Sequence, residues 1–479
     1  MIRLILAYLL TIVLIASSQA QCVVIDGNFE DWKNIKTVCA DSKNDGNQLD
    51  FVEMGVNNDQ DFLKIRLKLS KPIVLSENNS IYLEIDADNN ESTGYRINGI
   101  GAEFGWNFGG RFGYYNKSRN ATLLSHKDLG ISYLPTFESD EFEIYISRNV
   151  RPDGNLNLFT SKNIRILLWE KTLNGDLLPD SGNVYNYRFS DEIQNSYTPI
   201  SVNPKANEAL RCMTWNILLD GLRAAARQES FKRVFQAINP DIITLNECYQ
   251  TDARYIKDFM DTAMPLENPN GWYVVKRDHS TATCSIFPIV QSWSVMEDHN
   301  ITANLIAVNN PAFDSILVIN AHLTCCEADD QRVLEANAID EFLSNAFNPN
   351  GNIKINPYTP VYISGDFNLV GSYLPIHILT NNSIVNKIGD AKEVLLKMAT
   401  PLHTDLPLAN TWRDQSKTFS PSRLDYFFYT PLSLQPTKAF VLATEEIPVH
   451  KLTELKLLMS DTFIASDHLP VVIDFKRIK

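Results

Sequence analysis

Apolar and polar residues alternate through much of the first 190 positions. Leu63, Ile65, Leu67 and Leu69 alternate with Lys64, Arg66 and Lys68, and Ile81, Leu83 and Ile85 repeat the period of two. That period sends successive side chains to opposite faces and predicts half-buried strands. Residues 142–147 and 164–169 carry the same signal, with Gly and Asn clusters between the runs. The pattern predicts an antiparallel β-sandwich over residues 21–190, one sheet packed on another.

Residues 191–207 lack periodicity and hold Pro199 and Pro204, as a linker does. From residue 208 to 479 the rhythm changes. Short apolar runs at 317–321, 361–364, 424–429 and 471–475 are bounded by turns, with helix-like stretches between some of them. One such stretch is 332–343, where Leu334, Ala338 and Phe342 are expected to share a face. This predicts a layered α/β domain.

At 479 residues the chain is long enough for two or three packed units, and its 44% hydrophobic and 21% charged residues are ordinary for a globular protein. Arg3, an apolar run over 4–16 and small residues up to Ala20 read as a secretory leader over residues 1–20, so the mature chain is expected to be secreted. No later segment is apolar enough to span a bilayer. Of the seven cysteines, Cys22 and Cys39 alone precede residue 212, and they are expected to pair. Sequons stand at Asn78, Asn90, Asn116, Asn120, Asn300 and Asn381. A net charge of −14 repels polyanions at long range and argues against a stoichiometric nucleic-acid binder. Bound metal can reverse the local field at an acidic site.

The informative residues stand at the ends of the apolar runs: Asn216, Glu247, His322, Asp366, Asn368, Asp425, Asp467 and His468. Ligands gather beyond strand ends in open sheets, so runs that finish in carboxylates, amides and imidazoles predict one shared pocket. Oxygen donors suit Mg²⁺ or Mn²⁺. Glu247 is the principal candidate ligand, with Asn216 and Asp467 beside it. His322 and the Asp425–His468 pair suit hydrogen bonding to a phosphate, with the carboxylate fixing the tautomer of its imidazole.

In the order MTWN, ITLNE, NAHL, SGDFN, RLDYFF and SDHLP, residues 209–476 resemble the endonuclease/exonuclease/phosphatase superfamily. The resemblance implies a four-layer α/β sandwich of the deoxyribonuclease I type, two β-sheets packed together with helices outside. It implies a metal held by Asn216, Glu247 and Asp467, and catalytic roles for His322, Asp366, Asn368, Asp425 and His468. Within them, Asp366 activates water, Asn368 orients it, and Asp425 supports His468. Asn320 and Arg332 fall where that family has substrate-side residues. One segment departs from the pattern: CSIFPI places Ile286 where a basic residue is common, which puts substrate contacts there in doubt. His279 is a nearby polar alternative.

The segments VVIDGNFEDW, LEIDADNNESTGY and GIGAEFGW resemble family-9-like carbohydrate-binding and related β-sandwich modules. Asp86, Asp88 and Asn90 alternate in a Gly-terminated loop, a spacing of oxygen ligands that can wrap Ca²⁺. Trp106, Phe108, Phe112, Tyr114 and Tyr115 are either core aromatics or a platform for sugar rings. The sequence reading is thus a secreted metal-dependent phosphodiesterase carrying a glycan-binding sandwich. Nucleic acid is the favoured substrate and sphingomyelin the alternative. A catalytically dead secreted adhesion protein is the reading from another class.

Overall fold

The computed structural model describes residues 22–478 apart from 43, 117–120, 153, 155–156, 191–196, 206–207, 310–312 and 382–394. The leader expected over 1–20 and the sequon at Asn120 lie outside the described residues. Among those residues, no helix is long and apolar enough to cross a membrane.

The alternating runs become two antiparallel sheets. The first runs in the order Val38–Ala40, Phe51–Asn58, Phe62–Ile73, Ser139–Ser147, Ile131–Leu134. The second runs Leu177–Leu178, Asn163–Glu170, Ile81–Asp86, Phe104–Asn107, Phe112–Tyr115, Thr122–Leu124, with Tyr185–Arg188 also paired to Asn163–Glu170. Leu63, Ile65 and Leu67 of the first sheet pack with Leu83, Ile85 and Ile166 of the second, as the period of two requires. Lys64 breaks the alternation, because its buried ammonium donates to the Val23 carbonyl at 2.6 Å and pairs with Asp59 at 2.5 Å. Trp106, Phe108 and Tyr115 are core residues; Phe112 and Tyr114 are half-buried.

Two further sheets form the second half. One has the order Tyr273–Val275, Ala282–Ser285, Ile242–Asn246, Leu210–Asn216, Val471–Arg477, Leu434–Val441, Leu402–His403. The other has Ile289–Ser294, Ile301–Ala307, Ser315–His322, Val361–Asp366, Asp425–Tyr429, Lys397–Ala399. Both are mixed, since Leu210–Asn216 runs parallel to Ile242–Asn246, and Ser315–His322 parallel to Val361–Asp366. Leu210, Cys212, Ile242, Val471 and Ile473 from one inner face meet Ile316, Val318, Tyr362 and Phe427 from the other. The outer faces are covered by helices, Ala225–Ile238 and Ala253–Ala263 on one side, Asp329–Phe347 and Leu374–Asn381 on the other. The expected four-layer α/β sandwich is therefore present, preceded by the all-β sandwich.

The two halves share packed structure. Ile25 exchanges backbone hydrogen bonds with the segment at 407–409, its N–H donating to the Pro407 carbonyl at 2.8 Å and its carbonyl accepting the Ala409 N–H at 3.0 Å. Ile25, Phe62, Leu134 and Tyr145 then bury one apolar cluster with Leu408 and Ala409. Glu138 N–H donates to the Gly371 carbonyl at 2.7 Å, and Thr136 Oγ1 to that of Arg423 at 3.1 Å.

Two details differ from the sequence reading. The helix around 332–343 spans Asp329–Phe347, but Leu334 is exposed; the buried face is Arg332, Glu335, Ile339, Phe342, Leu343 and Ala346, a three- and four-residue spacing offset from the expected one. Cys22 and Cys39 are free thiols rather than a pair. Cys22 lies among Lys64, Asp59 and Asp31, whereas Cys39 on Val38–Ala40 lies beside Asp41 and Asp180.

Candidate active site

Strand geometry gathers the expected residues. Asn216 and His322 end their strands, Glu247 follows Ile242–Asn246, Asp366 ends Val361–Asp366, and Asp425 begins the neighbouring strand opposite it. Gly365, just before Asp366, has φ +145°, and a Cβ there would lie 1.8 Å from the Ala321 carbonyl oxygen, so only glycine lets the two parallel strands approach. Glu247 and Asn368 both adopt positive φ, +61° and +50°, where the chain bends away from the strand end. The side chains of Glu247, His322, Asp366, Asn368, Asp467 and His468 line one cleft of about 800 Å³.

Asp366 is the hub. Its Oδ2 accepts the Asn216 side-chain amide at 3.0 Å and lies 3.6 Å from His468 Nε2 and 3.8 Å from His322 Nε2. Its own N–H donates to Asn246 Oδ1 at 3.0 Å, and its Oδ1 accepts the Asn368 N–H at 3.0 Å. Burial is the chief cause that pushes its carboxyl up to about 7, with His468 pulling down and Asp425 pushing up.

The two imidazoles are held in different states. His468 Nδ1 is 2.8 Å from Asp425 Oδ2, which also accepts the Thr411 hydroxyl at 2.7 Å. Burial alone would lower the His468 pKa, but Asp425 and Asp366 outweigh it and hold it at about 10. His322 has no carboxylate behind it. Its Nδ1 is 2.7 Å from Ser280 Oγ, and that oxygen already accepts the Glu247 N–H at 2.9 Å. With the Ser280 hydroxyl donating to Nδ1, a neutral His322 carries its proton on Nε2, facing Asp366. Burial first, and then His468, bring its pKa down to about 4.

Glu247 Oε1 accepts the Asn216 side-chain amide at 3.0 Å and its Oε2 accepts the Leu219 N–H at 2.7 Å. Asp467 Oδ2 accepts Trp412 Nε1 at 3.0 Å. Among the described residues, no Lys or Arg forms an ion pair with Glu247, Asp366, Asp425 or Asp467. Asp366 and Asp425 face His468, whereas Glu247 and Asp467 are paired with no cationic side chain among the described residues and offer the oxygen donors a hard divalent cation takes. Asp366, Asp425 and His468 also offer atoms within 4.8 Å of one another that could hold a metal, although an ion there would displace the Asp425–His468 hydrogen bond. Asn216 Oδ1 accepts the Leu218 N–H at 3.0 Å, so this residue presents its amide nitrogen to the carboxylates.

Two expected substrate-side residues are structural. Asn320 is fully buried and ties the two sheets, donating to the Leu245 and Ala282 carbonyls at 3.2 and 3.0 Å. Arg332 is also buried, with Nη1 donating to the Thr324 and Cys326 carbonyls at 2.8 and 2.9 Å and Nη2 paired with Asp329. It shapes the loop at 324–326 on the cleft wall. His279 is exposed and lies against Tyr249, with ring centroids 5.2 Å apart. The sequence reading missed Ser280, Thr411 and Trp412, isolated polar or aromatic residues whose roles arise only when distant strands meet.

The sandwich supplies part of the cleft wall through Val74, Glu77 and Asn78. Arg111 braces that wall, its guanidinium 4.0 Å from the Phe419 ring centroid and 3.4 Å from Glu77 Oε1.

A layered α/β sandwich with a carboxylate–imidazole–amide cluster at its strand ends defines the class of metal-assisted phosphoester hydrolases. The model of the Endonuclease/Exonuclease/phosphatase family matches residues 213–468, and the chain belongs to that family as a phosphoesterase. The family is typically Mg²⁺-dependent. Among solved structures, the human Nocturnin catalytic domain with bound sulfate is 19% identical, covering 57% of this chain and 97% of that one, TM-score 0.38. An endonuclease/exonuclease/phosphatase from Bacteroides vulgatus is 16% identical, covering 56% of this chain and 99% of that one, TM-score 0.40. D. rerio TDP2 complexed with single-strand DNA product is 14% identical, covering 56% and 99%, TM-score 0.37. No curated protein matches the chain.

Proposed function

We propose that this chain is a secreted, divalent-metal-dependent phosphodiesterase, with nucleic acid as the first substrate to test. In this reading residues 1–20 are a leader, 21–190 the sandwich, 191–207 a linker and 208–479 the enzyme. The carrying observation is Asp366 Oδ2 lying 3.6 and 3.8 Å from the Nε2 atoms of two imidazoles, one backed by the Asp425 carboxylate and the other by the Ser280 hydroxyl.

Glu247 and Asp467 would hold Mg²⁺ or Mn²⁺, with Asn216 steadying Glu247. The bound metal would neutralise phosphoryl charge. His468, kept as an imidazolium by Asp425, donates a hydrogen bond to a phosphoryl oxygen, and neutral His322 donates from Nε2. Asp366 takes the proton of the attacking water, and a pKa near neutrality suits that exchange. The Asn368 side chain, anchored by donation to the Leu323 carbonyl at 3.0 Å, orients the water. Asp366→Asn keeps the shape and removes the base. A drop of about 10²-fold or more in turnover with unchanged circular dichroism supports the assignment, and wild-type rates overturn it.

A second reading, a zwitterionic lipid diester such as sphingomyelin, is favoured by exposed apolar side chains on the segments next to Glu247 and Asp467. Leu219, Leu458, Met459, Phe463 and Ile464 are 66, 54, 52, 54 and 42% exposed. Leu218 and Ala465, neighbours of Leu219 and Ile464, are bridged by Arg227, which donates to both carbonyls. The cleft lining adds Glu77, Glu327 and Asp329, and among the described residues its one Lys or Arg is the buried Arg332. Phe463→Ser would selectively slow cleavage of sphingomyelin in vesicles if this reading holds, and would leave cleavage of a soluble diester unchanged.

For the sandwich we propose glycan-directed positioning. Tyr95, 44% exposed and edge-on to Tyr114 at 6.4 Å, is the aromatic pair available for a sugar ring. Polysaccharide pull-down of the full chain, lost in Tyr95→Ala, tests this.

A further inference from the structure

A second acidic cluster lies in the sandwich and plays no part in the cleft. Strand Ile81–Asp86 ends on Asp86, fully buried; the loop that follows carries half-buried Asp88; and the hairpin Tyr95–Ile97 with Ile100–Ala102 brings back Glu103, 2% exposed. One carboxylate oxygen from each lies within 4.8 Å of the others.

Partners account for most of these oxygens, but not all. Asp86 Oδ1 accepts the Asn90 N–H at 3.0 Å, and Oδ2 is 3.3 Å from the Arg165 guanidinium. Both Asp88 oxygens face the Thr93 hydroxyl, at 3.0 and 3.1 Å. Glu103 Oε2 accepts the Ala87 N–H at 2.8 Å, while its Oε1 is buried and has no hydrogen-bond partner. Arg165 is the one cationic side chain paired with the three carboxylates among the described residues. A buried carboxylate oxygen without a donor is costly, and it is relieved by a cation on the open side.

We propose that Asp86, Asp88 and Glu103 form a Ca²⁺ site that fastens the loop at 87–94 to the hairpin at 95–102. The donors are all carboxylates, without His or Cys, which selects a hard cation. Half-exposed Asp88 leaves room for water to complete the six to eight oxygen ligands that Ca²⁺ takes, in a flexible geometry that Mg²⁺ does not accept. Asn90, expected from spacing to be the third ligand, instead uses its side-chain oxygen to accept the Ser92 N–H at 3.1 Å. Glu103, distant in spacing but adjacent across the hairpin, takes that place.

Hydrogen exchange of the chelator-treated full-length mature chain tests the site, read on peptides spanning 86–103 with added CaCl₂ or MgCl₂. Ca²⁺ at about 100 times its Kd should slow exchange there by about 100-fold, because opening the loop releases the ion. The effect should persist in Glu247→Gln, whose cleft site is impaired, and vanish in Glu103→Gln. Asp88→Asn, at the half-exposed ligand, serves where Glu103→Gln does not fold. Absence of Ca²⁺-dependent protection, its survival in both sandwich variants, or equal protection by Mg²⁺ would each overturn the proposal.

Discussion

Asp425 Oδ2 lies 2.8 Å from His468 Nδ1, and the pair is buried at the strand ends, with His468 at the edge of the cleft. A buried imidazole without a carboxylate would be neutral; this one is held charged up to about pH 10. Asp425→Asn keeps an oxygen acceptor but removes the charge. The His468 pKa should fall toward the ordinary histidine range, seen as a shifted ¹H–¹³C imidazole titration in metal-free protein. Turnover at neutral pH should fall about 10²- to 10⁴-fold. An unmoved titration would contradict the pairing.

The sandwich's share of the cleft wall predicts a split between substrates. Phe419→Ala removes the ring beneath Arg111 and frees the Glu77 edge. KM for the natural diester should rise about 3- to 30-fold, the range a partly desolvated cation–π contact supports. Hydrolysis of bis-p-nitrophenyl phosphate, too small to reach the wall, should stay near wild type.

Expectation and structure part company for identifiable reasons. Runs that alternate every two residues, such as Leu63 to Leu69, and runs ending in a polar residue, such as 361–366, carry their burial in the chain itself. The placement of Asn216, Glu247, His322 and Asp366 at strand ends is legible because each closes or follows such a run, and Asp467 and His468 stand just before the run at 471–475. Ser280 was not, since its partner His322 is 42 positions away and the contact exists only across two sheets. Arg332 illustrates the opposite failure: a cation near the motif looks like a phosphate ligand until its donors are found on the Thr324 and Cys326 carbonyls. Glu103 shows the same limit in the sandwich, where a hairpin rather than sequence spacing supplies the third carboxylate.

Arg211 and Asp474 form a buried, two-pronged ion pair at 2.6 and 2.9 Å that joins adjacent strands of the sheet carrying Asn216. Asp474→Asn leaves the guanidinium uncompensated and should destabilise the enzymatic half by about 3–5 kcal/mol. Urea unfolding followed by the fluorescence of buried Trp215 measures this, and a loss below about 1 kcal/mol would show the pair to be dispensable.

Glu84 in the sandwich is buried; burial raises its carboxyl to about 7 although Tyr114 and Trp169 donate to it. The folded pKa lies above the unfolded one, so its contribution is fully present below about pH 4.5 and is lost as pH rises through about 7. The loss amounts to about 3 kcal/mol by pH 8. Glu84→Gln should remove that slope, so the variant gains on wild type between pH 5 and 8 in thermal unfolding; parallel pH profiles would contradict it.

The central claim rests on a metal at Glu247 and Asp467 beside Asp366. The most direct test is the rate at which the purified mature chain hydrolyses DNA, RNA, sphingomyelin vesicles and bis-p-nitrophenyl phosphate, with Mg²⁺ or Mn²⁺ and with chelator, beside Glu247→Gln. Cleavage of at least one diester that chelator abolishes, that added metal restores, and that falls about 10²-fold or more in the variant is the predicted result. Undiminished cleavage in chelator, or silence on every substrate by a protein shown to be folded, would contradict it.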